Sequence, residues 1–134
     1  EVAKAASKIA VIPEVREVLL DFQRNFANQE GGAVLDGRDI GTVICPYAHV
    51  KLFITASAEI RAIRRYEELK NNGLEISFEN VMRDVVSRDK RDQERNASPL
   101  IIADDAYEID TSSLSANDAV GVAIDHINEK FKNL

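Results

Sequence analysis

From Val15 the apolar positions recur at Val18, Leu19, Phe22 and Phe26, the i, i+3, i+4, i+7, i+11 spacing of one helix face. Pro13 suits the first turn of that helix, and Gly31-Gly32 follow its expected end near Asn28. Upstream, Val2, Ala5, Ala6 and Ile9 also keep helical spacing. Three shorter runs, residues 33–36, 50–56 and 106–110, are compact, β-branched or aromatic, and end in polar residues, which predicts buried strands. Ser57 offers an N-cap for "AEIRAIRRYEELK", a helix that stops at Asn71-Asn72-Gly73. Another helix is expected from about Phe78 towards Ser98-Pro99, with Val81, Met82, Val85 and Val86 apolar. The last begins near Ser115, where "SAND" has the form of a capping box with Asp in place of Glu. It carries Val120, Ala123, Ile124, Ile127 and Phe131 on one face. Short buried runs separated by helices predict an α/β fold with a parallel sheet covered on both faces.

One connection strains that picture. Only 13 residues, 37–49, separate the first two expected strands. A parallel crossover needs a dozen or more, usually a helix, and Gly37, Gly41 and Pro46 argue against a long one here. The two strands are therefore expected not to be direct neighbours, with a strand from elsewhere lying between them.

Composition narrows the class. The chain has 134 residues, 45% hydrophobic and 30% charged, which fits one globular domain and argues against disorder. A net charge of -6 disfavours broad binding to a nucleic acid polymer or an anionic membrane, but permits a small anion held by a local arginine cluster. The single cysteine, Cys45, cannot form an internal disulfide, and no Cys/His set has zinc spacing, so no metal ligand is assigned. These features, with no apolar run of membrane-spanning length and no signal peptide, fit a reducing, cytoplasmic setting. The chain opens on Glu1-Val2-Ala3 without Met, as expected of part of a longer protein.

Two clusters carry chemistry. The first is "LDGRDIGT", residues 35–42, just after an apolar run. Ligands in open α/β sheets bind beyond the carboxyl ends of strands, and Arg38 has the planar donor fork that grips phosphate. Asp39, an acceptor only, suits an amino group or a hydroxyl. The alternative is a turn in which Arg38 and Asp39 pair with each other. The second cluster is "SRDKRDQERN", residues 87–96, where Arg88, Asp92 and Arg95 share a helix face at i, i+4, i+7. It reads either as a clamp for phosphates and a sugar hydroxyl or as a solvated helix with ion pairs. Four of the five cationic residues from Arg83 to Arg95 are arginine, which favours the clamp. Arg64 and Arg65 offer nucleotide contacts or a solvated face, with Arg64 the candidate cofactor contact. His49 and His126 have no partner at catalytic spacing, and neither GxxxxGK[ST] nor GxGxxG occurs.

With these residues in place, the chain resembles bacterial cytidylate kinase, of the P-loop nucleoside monophosphate kinase group, from Glu1 to about Phe131. The pieces that carry the resemblance are "EVAKAAS", "PEVREVLLDFQRNF", "LDGRDIGTVICP", "VKLFITASAEIRAIRRYEEL" and "RDKRDQERNASPL". "DGRDIGT" combined with RDxRDxxR at this separation is specific; each piece alone is not. The loop around residues 30–32 departs from the family pattern by a residue or so.

The resemblance implies that residues 1–134 are the C-terminal part of a single parallel-sheet P-loop kinase domain, with helices on both faces and a lid over residues 84–99. The central P-loop strand and its Walker A loop are absent from this chain and expected from an N-terminal companion segment. It further implies phosphoryl transfer from ATP, with Mg²⁺, to CMP or dCMP. Ser7, Arg16 and Asp39 would read the cytosine and Arg38 would contact its phosphate. Arg88 and Asp92 would serve the sugar and phosphates, and Arg95 would lie beside the base or phosphate, with Arg88 and Arg95 as the catalytic arginines. Cytosine presents an amino donor beside two acceptors, so a carboxylate plus an arginine complements it, whereas uracil reverses part of that pattern. Two alternatives stand beside this: a nucleotide-binding fragment without catalysis, or a kinase for another monophosphate.

Overall fold

The computed structural model describes residues 5, 8–9, 12–94 and 100–132. Its elements are α1 (Pro13–Ala27), a π-helical turn (Ile40–Ile44), β1 (Leu52–Thr55), α2 (Ala58–Asn71), α3 (Phe78–Glu94), β2 (Tyr107–Asp110) and α4 (Ala116–Lys132). The chain is thus mixed α/β, with a small parallel sheet and several helices. Contacts group it into one unit of Glu1–Ala48 with Lys90–Asp104 and another of His49–Asp89 with Asp105–Leu134. The sequence of α3 contributes to both.

In the first unit, Pro13 opens α1 with its fixed φ, at a position where a missing N–H leaves no helical bond unmade. The helix closes at Asn28, whose side-chain amide donates to the Arg24 carbonyl at 2.9 Å. Gly31 and Gly32 then turn the chain at φ 90° and 83°, a region that side chains disfavour. The expected apolar stripe is real as periodicity but not as core. No residue of α1 is buried, and Phe22 is 70% exposed.

Residues 33–36 form no strand, which corrects the first expected strand. A strand is defined by its ladder, and β1 and β2 pair only with each other, so these residues have no ladder partner among the described residues. Val34 is accordingly 96% exposed.

The second unit holds the sheet. β1 and β2 are parallel, in the register Leu52↔Tyr107 through Thr55↔Asp110. The ladder extends at both ends, from Tyr107 N–H to the Lys51 carbonyl (2.9 Å) and from Thr111 N–H to the Thr55 carbonyl (2.8 Å). Ala56, Ala62, Val81 and Ile109 form its buried apolar centre. Ser57 caps α2, its hydroxyl accepting from Ile60 N–H at 3.2 Å. Tyr107 of β2 stacks on His126 of α4, with ring centroids 4.0 Å apart and nearly parallel planes. The helix expected to run towards Ser98-Pro99 is described as far as Glu94. Among the described residues, no helix is long and apolar enough to cross a membrane.

Candidate functional site

The short connection after residues 33–36 folds as a π-helical turn, in which the N–H groups of Val43 and Ile44 both reach the Asp39 carbonyl, at 2.9 and 3.2 Å. Such i→i+5 turns are rare and concentrate at functional sites. Its open C-terminal carbonyls are met from α1, where Arg24 donates through Nη2 to Val43 O (3.1 Å) and through Nε to Ile44 O (3.3 Å). Ile44 is buried, which anchors the turn, and Cys45 N–H closes it on the Ile40 carbonyl at 2.7 Å. This scaffold sets Asp39 at the turn's first corner and Arg38 just before it.

Arg38 and Asp39 do not pair with each other. Asp39, 6% exposed, takes a salt bridge from Arg16 of α1. Arg38 donates through Nε to Asp92 Oδ2 of α3 at 2.9 Å. The backbone carbonyl of Asp92 in turn accepts from Leu100 N–H at 2.7 Å. Four sequence-expected residues, Arg16, Arg38, Asp39 and Asp92, therefore converge in the first unit as two arginine–carboxylate pairs on adjacent residues. Both carboxylates are buried, whereas the Arg38 side chain is 40% exposed. Its two terminal nitrogens make no hydrogen bond among the described residues. Nε fixed and Nη1 and Nη2 available is the arrangement by which a guanidinium grips an anion.

In the second unit, the polar groups gather beyond the carboxyl ends of the two strands. Arg64 donates to Thr111 Oγ1 (2.9 Å), to the Thr111 carbonyl (2.5 Å) and to the Leu114 carbonyl (3.4 Å). Arg61 meets Asp89 with both terminal nitrogens at 2.7 Å, and this hydrogen bond raises the arginine pKa further. Ser57 N–H donates to Ser112 Oγ at 2.9 Å, and Ser112 Oγ donates to Asp110 Oδ1 at 2.6 Å. Those two bonds from Ser112, side chain and backbone, hold the Asp110 carboxyl below its ordinary value. At the opposite end of the strands, Lys51 Nζ reaches both Asp105 carboxylate oxygens, at 2.7 and 2.8 Å.

A profile of the family described as cytidylate kinase matches residues 1–129. A protein named cytidylate kinase from Cereibacter sphaeroides (strain KD131 / KCTC 12085) is 55% identical over 127 residues, covering 95% of this chain and 62% of its own length. One from Rhodospirillum rubrum is 51% identical over 131 residues, with 95% and 62% covered. Another, from Shewanella piezotolerans, is 46% identical over 132 residues, with 98% and 57% covered. The chain belongs to the cytidylate kinase family.

It spans about 62% of the length of the first of these cytidylate kinases. Of the residues assigned from the family's motifs, Ser7 and Arg95 lie outside the described residues. Arg88 is half-buried on α3, in the second unit, as is Arg64's neighbour Arg61 on α2. Sequence reasoning missed three groups: Arg24, Arg61 and Asp89. Arg24 and Arg61 sit in helices whose charge pattern reads as ordinary surface, and a bond to a distant carbonyl leaves no local signal. Asp89 stands inside the RDxRDxxR motif, yet it is one residue off the Arg88–Asp92–Arg95 face that drew attention.

Proposed function

We propose that this chain is the C-terminal portion of a cytidylate kinase that transfers the γ-phosphoryl group of ATP to CMP or dCMP in the cytoplasm. The observation that carries the reading is Arg38, anchored by Asp92 through Nε at 2.9 Å and presenting its terminal nitrogens for a monophosphate. Asp39, gripped by Arg16, is an acceptor-only carboxylate of the kind that suits an amino group. The pair then faces cytosine as an acceptor beside donors, with Ser7 as a third contact. A mismatched base leaves buried polar groups unsatisfied, a discrimination of about 1–3 kcal/mol per group.

Phosphoryl transfer asks for positioning and positive charge, and the acceptor is already a phosphate oxygen, so no general base is needed. Arg88 and Arg95 are the proposed catalytic arginines, on a lid over residues 84–99 that excludes water when it closes. Asp92 orients Arg38 and serves the sugar, and Arg64 is the candidate ATP contact. Among the described residues, no group of three His, Cys, Asp or Glu side chains could hold a metal ion. Mg²⁺, which the family resemblance implies, is assigned to ATP and to a P-loop contributed by an N-terminal companion segment. The exposed apolar face of α1 and residues 33–36, which pair with no strand among the described residues, supply surface for such a segment to cover.

ADP production by the complete protein with CMP, dCMP, UMP and AMP tests this. CMP and dCMP are expected as the preferred acceptors; preference for AMP would reject the cytosine assignment. The 134 residues alone are expected to neither hydrolyse ATP nor transfer phosphate. Turnover by that purified chain would overturn the need for a companion.

A further inference from the structure

Arg61 and Asp89 have no part in the chemistry above, yet they make a bidentate side-chain contact in the second unit. Arg61 lies one turn into α2 and commits all three donor positions of its guanidinium. Nε donates to the Ala56 carbonyl at 2.9 Å, Nη1 to Asp89 Oδ1 at 2.7 Å and Nη2 to Asp89 Oδ2 at 2.7 Å. Ala56 directly follows β1 and is buried, so the arginine is referenced to a fixed point at the strand's carboxyl end. Asp89 directly follows Arg88 on α3.

The side chains of the pair are 39% and 31% exposed, so mere charge attraction between them contributes little to stability. Geometry is what the contact supplies. Two parallel hydrogen bonds fix the carboxylate in plane and in direction, which a single point contact cannot do. A helix advances about 1.5 Å and turns about 100° per residue, so holding Asp89 sets both the height and the rotation at which Arg88 emerges.

We propose that the Arg61–Asp89 clasp is a positioning device for phosphoryl transfer, locking the rotation of α3 so that Arg88 is presented in one orientation relative to the carboxyl end of β1. The proposal rests on the reading of Arg88 as a catalytic arginine. Neither Arg61 nor Asp89 touches substrate in it. Lysine at position 61 keeps the charge but cannot make the three directed bonds, so Arg61→Lys should behave like a loss of the clasp.

The test is a double-mutant cycle between Asp89→Asn and Arg88→Lys in the complete kinase, with amide hydrogen exchange over residues 85–90 measured on the same proteins. Asp89→Asn is expected to lower kcat about tenfold while KM for CMP stays within about twofold. In the Arg88→Lys background the further loss should be under about twofold, because the clasp then has no arginine to position. Arg61→Lys should reproduce the kcat loss, which guards against a fold defect peculiar to one variant. Equal fold losses in both backgrounds, or a lowered unfolding temperature with kcat intact, would make the clasp purely structural and overturn the proposal. Exchange over residues 85–90 should quicken in Asp89→Asn without any nucleotide, and unchanged protection would also overturn it. That measurement needs no turnover, so a wild-type protein inactive on CMP would refute the functional reading separately.

Discussion

Asp39 and Asp92 are enclosed acids, and each is met by an arginine from another element. Burying a carboxylate is tolerable only when its charge is answered and its lone pairs are occupied. Replacing Asp39 with Ala should therefore act twice. It removes the carboxylate that Arg16 meets, and that guanidinium keeps 20% exposure, so the stability loss should fall near or below the low end of the range for broken buried pairs, about 2–3 kcal/mol. It also removes the base-reading acceptor, so CMP use should fall by about 10²-fold with ATP affinity little changed. Equal losses for CMP and ATP, measured by titration calorimetry on the complete kinase, would count against base reading. Arg38 and Asp39 are conspicuous in the sequence at the end of an apolar run and Asp92 by its helix-face spacing, whereas Arg16 is unremarkable on its own and enters only through the family resemblance. The sequence left open a turn in which Arg38 pairs with Asp39. The actual partners, Arg16 and Asp92, lie 23 and 54 residues away, distances over which no local pattern carries pairing information.

Helix α1, the strands at 52–55 and 107–110 and the last helix were readable as elements because each has its own period or cap. The π-helical turn was not, since an i→i+5 ladder over five residues leaves no recurring apolar position to read. Residues 33–36 failed for the opposite reason. Their pattern suits a strand, but a strand exists only with a ladder partner, and that depends on chain outside the run. Within this connection Gly37 has a specific task. A Cβ there would stand 2.8 Å from Ile40 Cγ1 and 3.0 Å from its Cδ1, at the first residue of the turn. Gly37→Ala should push Ile40 aside and cost about 1–3 kcal/mol as overpacking, read as a lower denaturant midpoint with unchanged slope. Because Ile40 opens the turn that carries Asp39, the same variant should also weaken CMP binding. Full stability with intact CMP affinity would show that Ile40 relocates without moving the turn.

At the scale of the whole molecule, the sheet among the described residues is two strands wide, so what secures β2 at its ends bears strongly on stability. Lys51 holds Asp105 before the strand, and Ser112 holds Asp110 at its last residue. Hydrogen bonds from these partners lower both carboxyls below their ordinary value of 3.8. A depressed carboxylate pKa means that the unfolded chain binds the proton more readily than the native one. The stabilisation is then complete above the unfolded value and lost as pH falls through the folded one, so the relevant window lies below about pH 4 rather than near neutrality. Both carboxylates are exposed, so their contribution is modest and salt-sensitive for Asp105, whose partner is a cation, and less so for Asp110, whose partner is a hydroxyl and an N–H. Urea midpoints between pH 7 and pH 3 should fall most steeply at the acid end. Asp110→Asn should flatten part of that slope while leaving the neutral range nearly parallel to wild type. A variant whose midpoint tracks wild type throughout the acid limb would show that the Ser112 contact does not hold β2 in solution.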